Sequence, residues 1–234
     1  MKQRHMVIDK AYSLYMPQIR QEITELYDLV SRHFDDRDTT QPYNILEIGT
    51  KYGGTFYLWN CINDSDGMNI SIDVSDGGIH GGISKKEMDD RDEWFKTKFK
   101  NCKFIRGDSH HKYTEYLLAC EILHPNLPKL NTDLGNLGSL IIPENTIDFL
   151  FIDGDHSYSG VKQDFEQYSQ FVKHGGLISF HDIQISKRHH DRNVYVGEFW
   201  QELKASGKYK TSEIIYPDTD DLDQRWGGIG VIHL

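Results

Sequence analysis

Short, continuous apolar runs recur along the chain and are separated by segments with helical spacing. Runs of this length, bounded by Gly, Asp or Asn, are typical of strands that are buried on both faces. We predict strands at residues 43–48, 69–72, 103–105, 147–152, 177–180, 212–216 and 229–233.

Between the runs, apolar residues recur every three or four positions, as they do on one face of a helix. At the N-terminus this spacing predicts one amphipathic helix over residues 11–34. Alternating strands and helices predict an α/β fold with a mainly parallel sheet and helices on both faces. The remaining helices are predicted over residues 55–62, 86–99, 113–123, 161–172 and 199–203.

One domain accounts for the whole pattern, because 234 residues with 38% hydrophobic content suit one α/β core. Residues 1–40 are assigned to an N-terminal helical segment and residues 41–234 to the main domain. Residues 124–143 contain three prolines and no clear period, and we predict no structure for this insertion.

The net charge and the cysteines of the chain limit which kinds of partner and which cellular location we expect for the protein. A net charge of −10 argues against binding nucleic acid through a broad basic face. No run approaches the roughly 18 apolar residues that cross a bilayer, and the N-terminus lacks a signal peptide. Three cysteines at wide spacing indicate reduced core residues. We therefore expect a cytoplasmic protein with no nucleic-acid or membrane partner; its oligomeric state stays open, with a homodimer as one alternative.

Two clusters of acids and histidines close neighbouring strands. Asp153, Asp155 and His156 follow the fourth strand, and His181 and Asp182 end the fifth. Parallel strands joined by a crossover helix present their carboxyl ends at one sheet edge, where open α/β sheets bind ligands. Asp and Gly also favour plain turns. Two such clusters one crossover apart nevertheless predict a shared functional crevice.

The first three strands end in glycines and acids. Gly49 and Gly53 lie in a turn that opens a helix, where backbone can approach a ligand and free N–H groups are available. The turn has neither the GxGxxG of nicotinamide enzymes nor the GK[ST] of nucleotide-triphosphate loops. Asp73 ends the second strand and is placed to accept hydrogen bonds from ribose hydroxyls. Asp108 and Ser109 follow the third strand at the same edge.

The order EIG, ID, GDSH and IDGDHSYSGVKQDF…GGLISFHD is similar to class I S-adenosylmethionine-dependent methyltransferases. Within them it resembles metal-assisted sugar and small-molecule O-methyltransferases, with cephalosporin-hydroxylase-like relatives. The resemblance implies a Rossmann-like, seven-stranded methyltransferase sheet, mostly parallel with an antiparallel last strand. It also implies that S-adenosylmethionine is bound by Glu47, Gly49, Thr50, Gly53, Asp73, Asp108, Ser109 and Asp153.

In metal-dependent relatives, the acid ending the fourth strand and two residues ending the fifth bind a cation. These positions here are Asp153, His181 and Asp182, and the resemblance implies that His156 is the base. The chain departs from the family at His181, where relatives carry an acidic or amide oxygen. Mg²⁺ prefers oxygen, whereas imidazole suits Mn²⁺ and other transition ions. A metal-free site in which His181 takes the proton, and a merely structural His181, also stay open.

The expected activity is methylation of a hydroxyl on a sugar, glycan or other polar small molecule. Two other functions stay open, a cephalosporin-hydroxylase-like oxidoreductase and a non-catalytic cofactor-binding domain.

The glycine-rich loop after Asp73 is interpreted either as a lid with His80 turned inward or as a surface loop without a function. Arg188 and Arg192 are either contacts for an anionic acceptor or solvated charges.

Overall fold

The computed structural model describes residues 2–35, 42–63, 67–75, 82–123 and 146–234. The insertion predicted at residues 124–143 and the lid residue His80 lie outside these ranges. Among the helices in the described ranges, none combines the length and apolar character that crossing a bilayer requires.

The described strands form one seven-stranded sheet in the order β3-β2-β1-β4-β5-β7-β6. The pairs β1–β2, β1–β4, β2–β3 and β4–β5 are parallel, whereas β7 is antiparallel to both β5 and β6. The predicted Rossmann-like sheet with an antiparallel last strand is confirmed. The strands are β1 Ile45–Ile48, β2 Asn69–Asp73, β3 Cys102–Arg106, β4 Ile147–Ile152, β5 Val172–His181, β6 Lys210–Ile214 and β7 Ile229–His233.

Helices cover both faces of the sheet, as the sequence pattern predicts. One apolar cluster joins α5, α6 and α8 to side chains such as Leu150 on one face. The second cluster joins α1 to α4 to side chains such as Phe149 on the other face. The helices are α1 Lys2–Ser13, α2 Arg20–Asp35, α3 Gly54–Ile62, α4 Lys85–Lys98, α5 Lys112–Leu123, α6 Tyr158–Tyr168, α7 Lys187–His190 and α8 Val196–Ala205.

The prediction of one continuous N-terminal helix over residues 11–34 is wrong. Helix α1 ends at Ser13 and α2 begins at Arg20. Pro17 in the connection has no N–H for a helical bond, and Tyr15 is left-handed with φ 65°. The break directs this connection toward the carboxyl ends of the strands.

The register of the central strands sets the position of the catalytic candidates. Ile152 at the end of β4 pairs with Ile48 of β1 on one side and with Phe180 of β5 on the other. Asp153 and His181 therefore emerge side by side. This juxtaposition is the one predicted from two strand ends separated by a single crossover.

Candidate active site

A cleft of about 780 Å³ opens at the carboxyl ends of the parallel strands. This volume is typical of small-molecule sites, which span about 300–1,000 Å³. Glu47 is the one predicted site residue that does not line the cleft. The others do: Gly49, Thr50, Gly53, Asp73, Asp108, Ser109, Asp153, His156, His181 and Asp182.

The glycine turn after β1 is shaped by positive backbone angles. Gly49 has φ 86° and Gly53 has φ 89°, a region that side chains rarely adopt. A Cβ on Gly49 would lie 2.1 Å from the carbonyl oxygen of Asp153. Gly49 is therefore required for the close approach of the β1 and β4 ends that forms the cleft floor.

Glu47 lies outside the cleft and against helix α3. Its carboxyl group accepts hydrogen bonds from Trp59 Nε1 at 2.5 Å and from Thr55 Oγ1 at 3.1 Å. Burial raises the pKa of Glu47 to about 8, so that the group is protonated at neutral pH. The structure does not bring Glu47 into the cleft with the other predicted cofactor residues, and its direct contact with a cofactor stays a prediction.

Asp73 lines the cleft at the end of β2, and its carboxylate is held by several donors. It accepts hydrogen bonds from the backbone N–H groups of Lys51 at 2.8 Å and Val74 at 3.0 Å. Arg91 Nη1 from α4 donates a third at 2.7 Å. Burial raises the pKa of Asp73 above its ordinary value, and the Arg91 guanidinium opposes this effect. The side chain is thereby fixed in one orientation at the cleft edge.

The turn after β3 forms another wall of the cleft. Tyr168 Oη donates a hydrogen bond to the Ser109 carbonyl at 2.7 Å, and the Asp108 carboxylate accepts one from the backbone of His110 at 2.9 Å. His110 Nε2 lies 3.2 Å from Oδ1 of the buried Asp164. The adjacent Asp164 carboxyl group raises the pKa of His110 to about 9. This wall therefore carries a cationic imidazole that the sequence did not reveal.

The two predicted acid/His clusters meet in the middle of the cleft. His156 Nε2 lies 3.1 Å from Asp153 Oδ1 and 3.8 Å from Asp182 Oδ2. His181 Nδ1 lies 3.4 Å from Asp153 Oδ1 and 3.2 Å from Asp182 Oδ1. Two carboxylates and two imidazoles thus form one contiguous group, as expected from the sequence.

The backbone holds this group in place. The His156 carbonyl accepts a hydrogen bond from the Tyr195 N–H at 2.8 Å. Ser157 caps helix α6 by accepting a bond from the Gly160 N–H at 3.0 Å. Asp182 is left-handed with φ 64°, a conformation that is uncommon for a residue other than glycine and often occurs at functional sites.

The carboxyl groups and the imidazoles of this group shift the pKa values of one another. Burial raises the pKa of Asp153, but the neighbouring imidazoles outweigh it and hold the pKa below its ordinary value. Burial likewise opposes ionisation of Asp182, and His181 holds its pKa well below the usual range. The same carboxylates overcome desolvation and raise the pKa values of His156 and His181. The carboxylates and the imidazoles thus each shift the pKa of the other toward its charged form.

The donor set also fits a divalent cation. Within the described residues, one ligand atom each of Asp153, His181 and Asp182 lies within 4.8 Å of the others. His181 Nε2 and Asp182 Oδ1 are buried and have no hydrogen bond of good geometry with the part of the chain that the structure describes. Buried polar atoms are rarely left unpaired, and those that are often mark the place of an ion or ligand. The arrangement can therefore serve either as an acid/base group or as a cation site.

Sequence reasoning missed two residues that touch this group. Gln18 Nε2, from the α1–α2 connection, donates a hydrogen bond to Asp153 Oδ2 at 2.7 Å. His189 is buried, with Nε2 lying 3.5 Å from Asp182 Oδ1 and accepting a hydrogen bond from the Gly227 N–H at 3.3 Å. The Gln18 contact has no local sequence signal, because Gln18 and Asp153 are far apart in the chain.

Comparison with known sequences places the chain in a family. The model of the family described as "Methyltransferase domain" matches residues 46–183. An uncharacterized protein of Sinorhizobium fredii (y4gI) is 24% identical over 168 residues, which are 70% of this chain and 15% of that protein. An uncharacterized protein of Acanthamoeba polyphaga mimivirus is 55% identical over 40 residues, or 17% of this chain. The chain thus spans only 15% and 18% of these two curated relatives.

Solved structures share the fold at low sequence identity. The O-methyltransferase TomG of Streptomyces achromogenes, in complex with SAM, has a TM-score of 0.58 at 12% identity, covering 97% of this chain and 89% of its own. An O-methyltransferase of Bacillus cereus, in complex with SAH, has a TM-score of 0.54 at 16% identity, covering 100% of this chain and 91% of its own. Because the family model matches more than half of the chain, the chain belongs to the methyltransferase domain family, and its fold agrees with the fold of these SAM- and SAH-bound structures.

Proposed function

We propose that this protein transfers a methyl group from S-adenosylmethionine to a hydroxyl of a sugar, glycan or other polar small molecule. The observation that carries the proposal is the contiguous group of Asp153, His156, His181 and Asp182. It lies in the same cleft as the glycine turn and the acids of β2 and β3. A proton acceptor and a cofactor site are therefore adjacent, as methyl transfer to a hydroxyl requires.

The cofactor is proposed to lie across the glycine turn. Gly49 and Gly53, whose positive φ angles shape the turn, line the part of the cleft in which the methionine part is proposed to lie. Asp73, fixed by Arg91 and by backbone N–H groups, is proposed to accept the ribose hydroxyls. Ser109 belongs to the wall proposed to hold the adenine. When bound, S-adenosylmethionine supplies an electrophilic methyl group on a sulfonium.

His156 is proposed to accept the proton of the acceptor hydroxyl. An alcohol is a poor nucleophile until its proton is removed, and a positioned base contributes about 100- to 10,000-fold to such a step. Asp153 lies 3.1 Å from His156 Nε2 and stabilises the imidazolium that forms. His181, whose Nδ1 lies 3.4 Å from the same oxygen of Asp153, is the second candidate for this role.

Asp153, His181 and Asp182 are also proposed to hold a divalent cation. Such an ion would lower the pKa of a bound hydroxyl and so share the work of the base. The imidazole in the donor set favours Mn²⁺ or another transition ion over Mg²⁺, which prefers oxygen ligands.

The lining at the acceptor end supports a polar substrate. Arg192, Asn193 and the half-buried Trp226 line the cleft together with His156. The Arg192 guanidinium lies 5.8 Å from the centre of the Trp226 ring. Hydrogen-bonding groups beside an aromatic surface suit a hydroxylated molecule such as a sugar.

A cytoplasmic location is part of the same proposal. Cys61, Cys102 and Cys120 are all free. Reduced, unpaired cysteines are typical of proteins in a reducing compartment.

The test is transfer of labelled methyl from S-adenosylmethionine to a panel of glycosides and other polyols, with and without a chelator. We expect methylation that the chelator abolishes and that Mn²⁺ restores better than Ca²⁺. Activity unchanged after exhaustive chelation would leave a metal-free acid/base group. Absence of S-adenosylhomocysteine binding in calorimetry would contradict the proposed function as a whole.

A further inference from the structure

Gln18 lies in the connection between α1 and α2, outside the part of the chain that the family model matches. The connection packs on the glycine turn: a Cβ on Gly54 would lie 2.6 Å from Met16 Cβ. The rings of Tyr15 and Tyr52 are 5.3 Å apart. Residues 15–18 line the cleft alongside the turn. The N-terminal segment therefore closes the end of the cleft where the methionine part of the cofactor is proposed to lie.

The Gln18 carboxamide has one partnered and one unpartnered atom. Nε2 donates a hydrogen bond to Asp153 Oδ2 at 2.7 Å, whereas Oε1 is buried and accepts no hydrogen bond within the described residues. An ionised carboxylate only accepts hydrogen bonds, so the amide nitrogen must face Asp153 and the oxygen must point away from it. Gln18 is only 7% exposed, and water therefore has little access to this oxygen.

Neighbouring contacts fix the carboxamide in this position. Tyr12 Oη donates a hydrogen bond to the backbone carbonyl of Gln18 at 2.6 Å. Glu22, in the first turn of α2, is fully buried and accepts hydrogen bonds from the N–H groups of Gly228 and Tyr216, each at 2.9 Å. The connection is thus tied to the C-terminal part of the sheet, and Gln18 has little freedom to seek another partner.

We propose that Gln18 is a positioning residue that orients both the Asp153 carboxylate and the cofactor, a role that rests on the proposed function. Its Nε2 holds one oxygen of Asp153 and leaves Oδ1 to face His156 and His181. Its Oε1 accepts a hydrogen bond from the α-ammonium group of the cofactor. That group is the hydrogen-bond donor at the methionine end of S-adenosylmethionine, whereas the ribose hydroxyls and the adenine amine belong at the β2 and β3 end, near Asp73 and Ser109.

The test compares two ligands that differ in the amino-acid part. Calorimetry on the full chain measures binding of S-adenosylhomocysteine, which carries the α-ammonium, and of 5′-methylthioadenosine, which lacks it. Gln18→Met preserves the length of the side chain but removes both hydrogen-bonding atoms. We expect it to weaken S-adenosylhomocysteine binding about 10- to 100-fold, the range for a hydrogen bond to a charged group. Binding of 5′-methylthioadenosine should change less than about twofold.

Gln21→Met is the matched control, because Gln21 is exposed on the same helix–turn segment, and it should leave both affinities unchanged. Equal weakening of both ligands by Gln18→Met, or no weakening of either, would overturn the role of Gln18. An increase in acceptor KM with unchanged S-adenosylhomocysteine affinity would also overturn it, by assigning Oε1 to the acceptor. If Gln18→Met does not fold, the affinities for the two ligands are compared in Gln18→Ala instead. Wild-type protein that binds no S-adenosylhomocysteine would overturn the proposed function itself, and the inference with it.

Discussion

At the residue scale, Asp153 is the point on which three separate parts of the chain converge. His156 follows it in the α6 turn, His181 comes from the end of β5, and Gln18 comes from the N-terminal connection. His156 and His181 both face Oδ1 of Asp153, whereas Gln18 binds Oδ2. A change at any one partner therefore alters how the carboxylate faces the cleft, even though the fold around it is unchanged.

Replacement of His156 tests the assignment of the base. His156→Asn should lower kcat about 100- to 10,000-fold, because a neutral amide cannot take the proton of the acceptor. Affinity for S-adenosylhomocysteine should stay the same, since the proposed cofactor contacts lie at other strand ends. His190→Asn is the control, as this exposed imidazole is paired with Glu198 at 2.6 Å. A loss below about tenfold would move the base to His181 or to a cation-bound acceptor.

Glu47 gives the stability of the protein a predictable dependence on pH. Its pKa is about 8 in the folded chain against an ordinary 4.5. Between these values the folded state binds more protons than the unfolded state, so the free energy of unfolding falls as pH rises. Glu47→Gln cannot titrate, and its free energy of unfolding should vary less with pH across this window. Urea titrations of both proteins at several pH values measure the difference; parallel profiles would contradict the buried, protonated state.

At the element scale, the cleft depends on how closely β1 and β4 approach at their carboxyl ends. Gly49 makes this approach possible, because its missing Cβ would lie 2.1 Å from the Asp153 carbonyl oxygen. The catalytic residue and the cofactor turn are thus coupled through backbone contact. Any side chain at Gly49 would separate the two strand ends and displace Asp153.

A matched pair of substitutions separates the steric clash at Gly49 from the backbone strain that a side chain causes at positive φ. Gly49→Ala and Gly207→Ala both place a side chain at positive φ, at 86° and 62°. A Cβ on Gly207 meets nothing within 4 Å. We expect Gly49→Ala to be less stable than Gly207→Ala by at least about 2 kcal/mol, because overpacking adds to the shared strain. Denaturant unfolding of both variants measures this, and equal losses would show that the strand ends can separate freely.

The strands were predictable because each central strand is buried on both faces and appears as a continuous apolar run. The same property hid the orientation of Glu47, since every residue of β1 is buried and alternation gives no sign of which face it occupies. The break between α1 and α2 had a signal in Pro17, but the apolar spacing continues across it. The Gln18 contact with Asp153 joins residues far apart in the chain and could not be predicted from local pattern.

At the scale of the whole molecule, the N-terminal helices belong to the same apolar core as the sheet. Ile23, Leu26 and Val30 of α2 are fully buried in one cluster with Phe149 and Phe151 of β4. Glu22 of α2 also accepts hydrogen bonds from the backbone N–H groups of Tyr216, which follows β6, and Gly228, which precedes β7. The helical segment assigned to residues 1–40 and the main domain therefore share an interface that solvent does not reach.

We accordingly expect the full chain to unfold in one cooperative transition and a chain lacking residues 1–35 not to fold. The deletion would expose the apolar face of the sheet to water, and burial of such side chains contributes about 1.5–3 kcal/mol each. It would also remove Gln18 and with it a contact of Asp153. Circular dichroism and binding of an apolar dye, with the full chain as reference, measure the outcome. A truncated chain that unfolds sharply and binds S-adenosylhomocysteine with unchanged affinity would show instead that residues 36–234 fold independently and that Gln18 is dispensable.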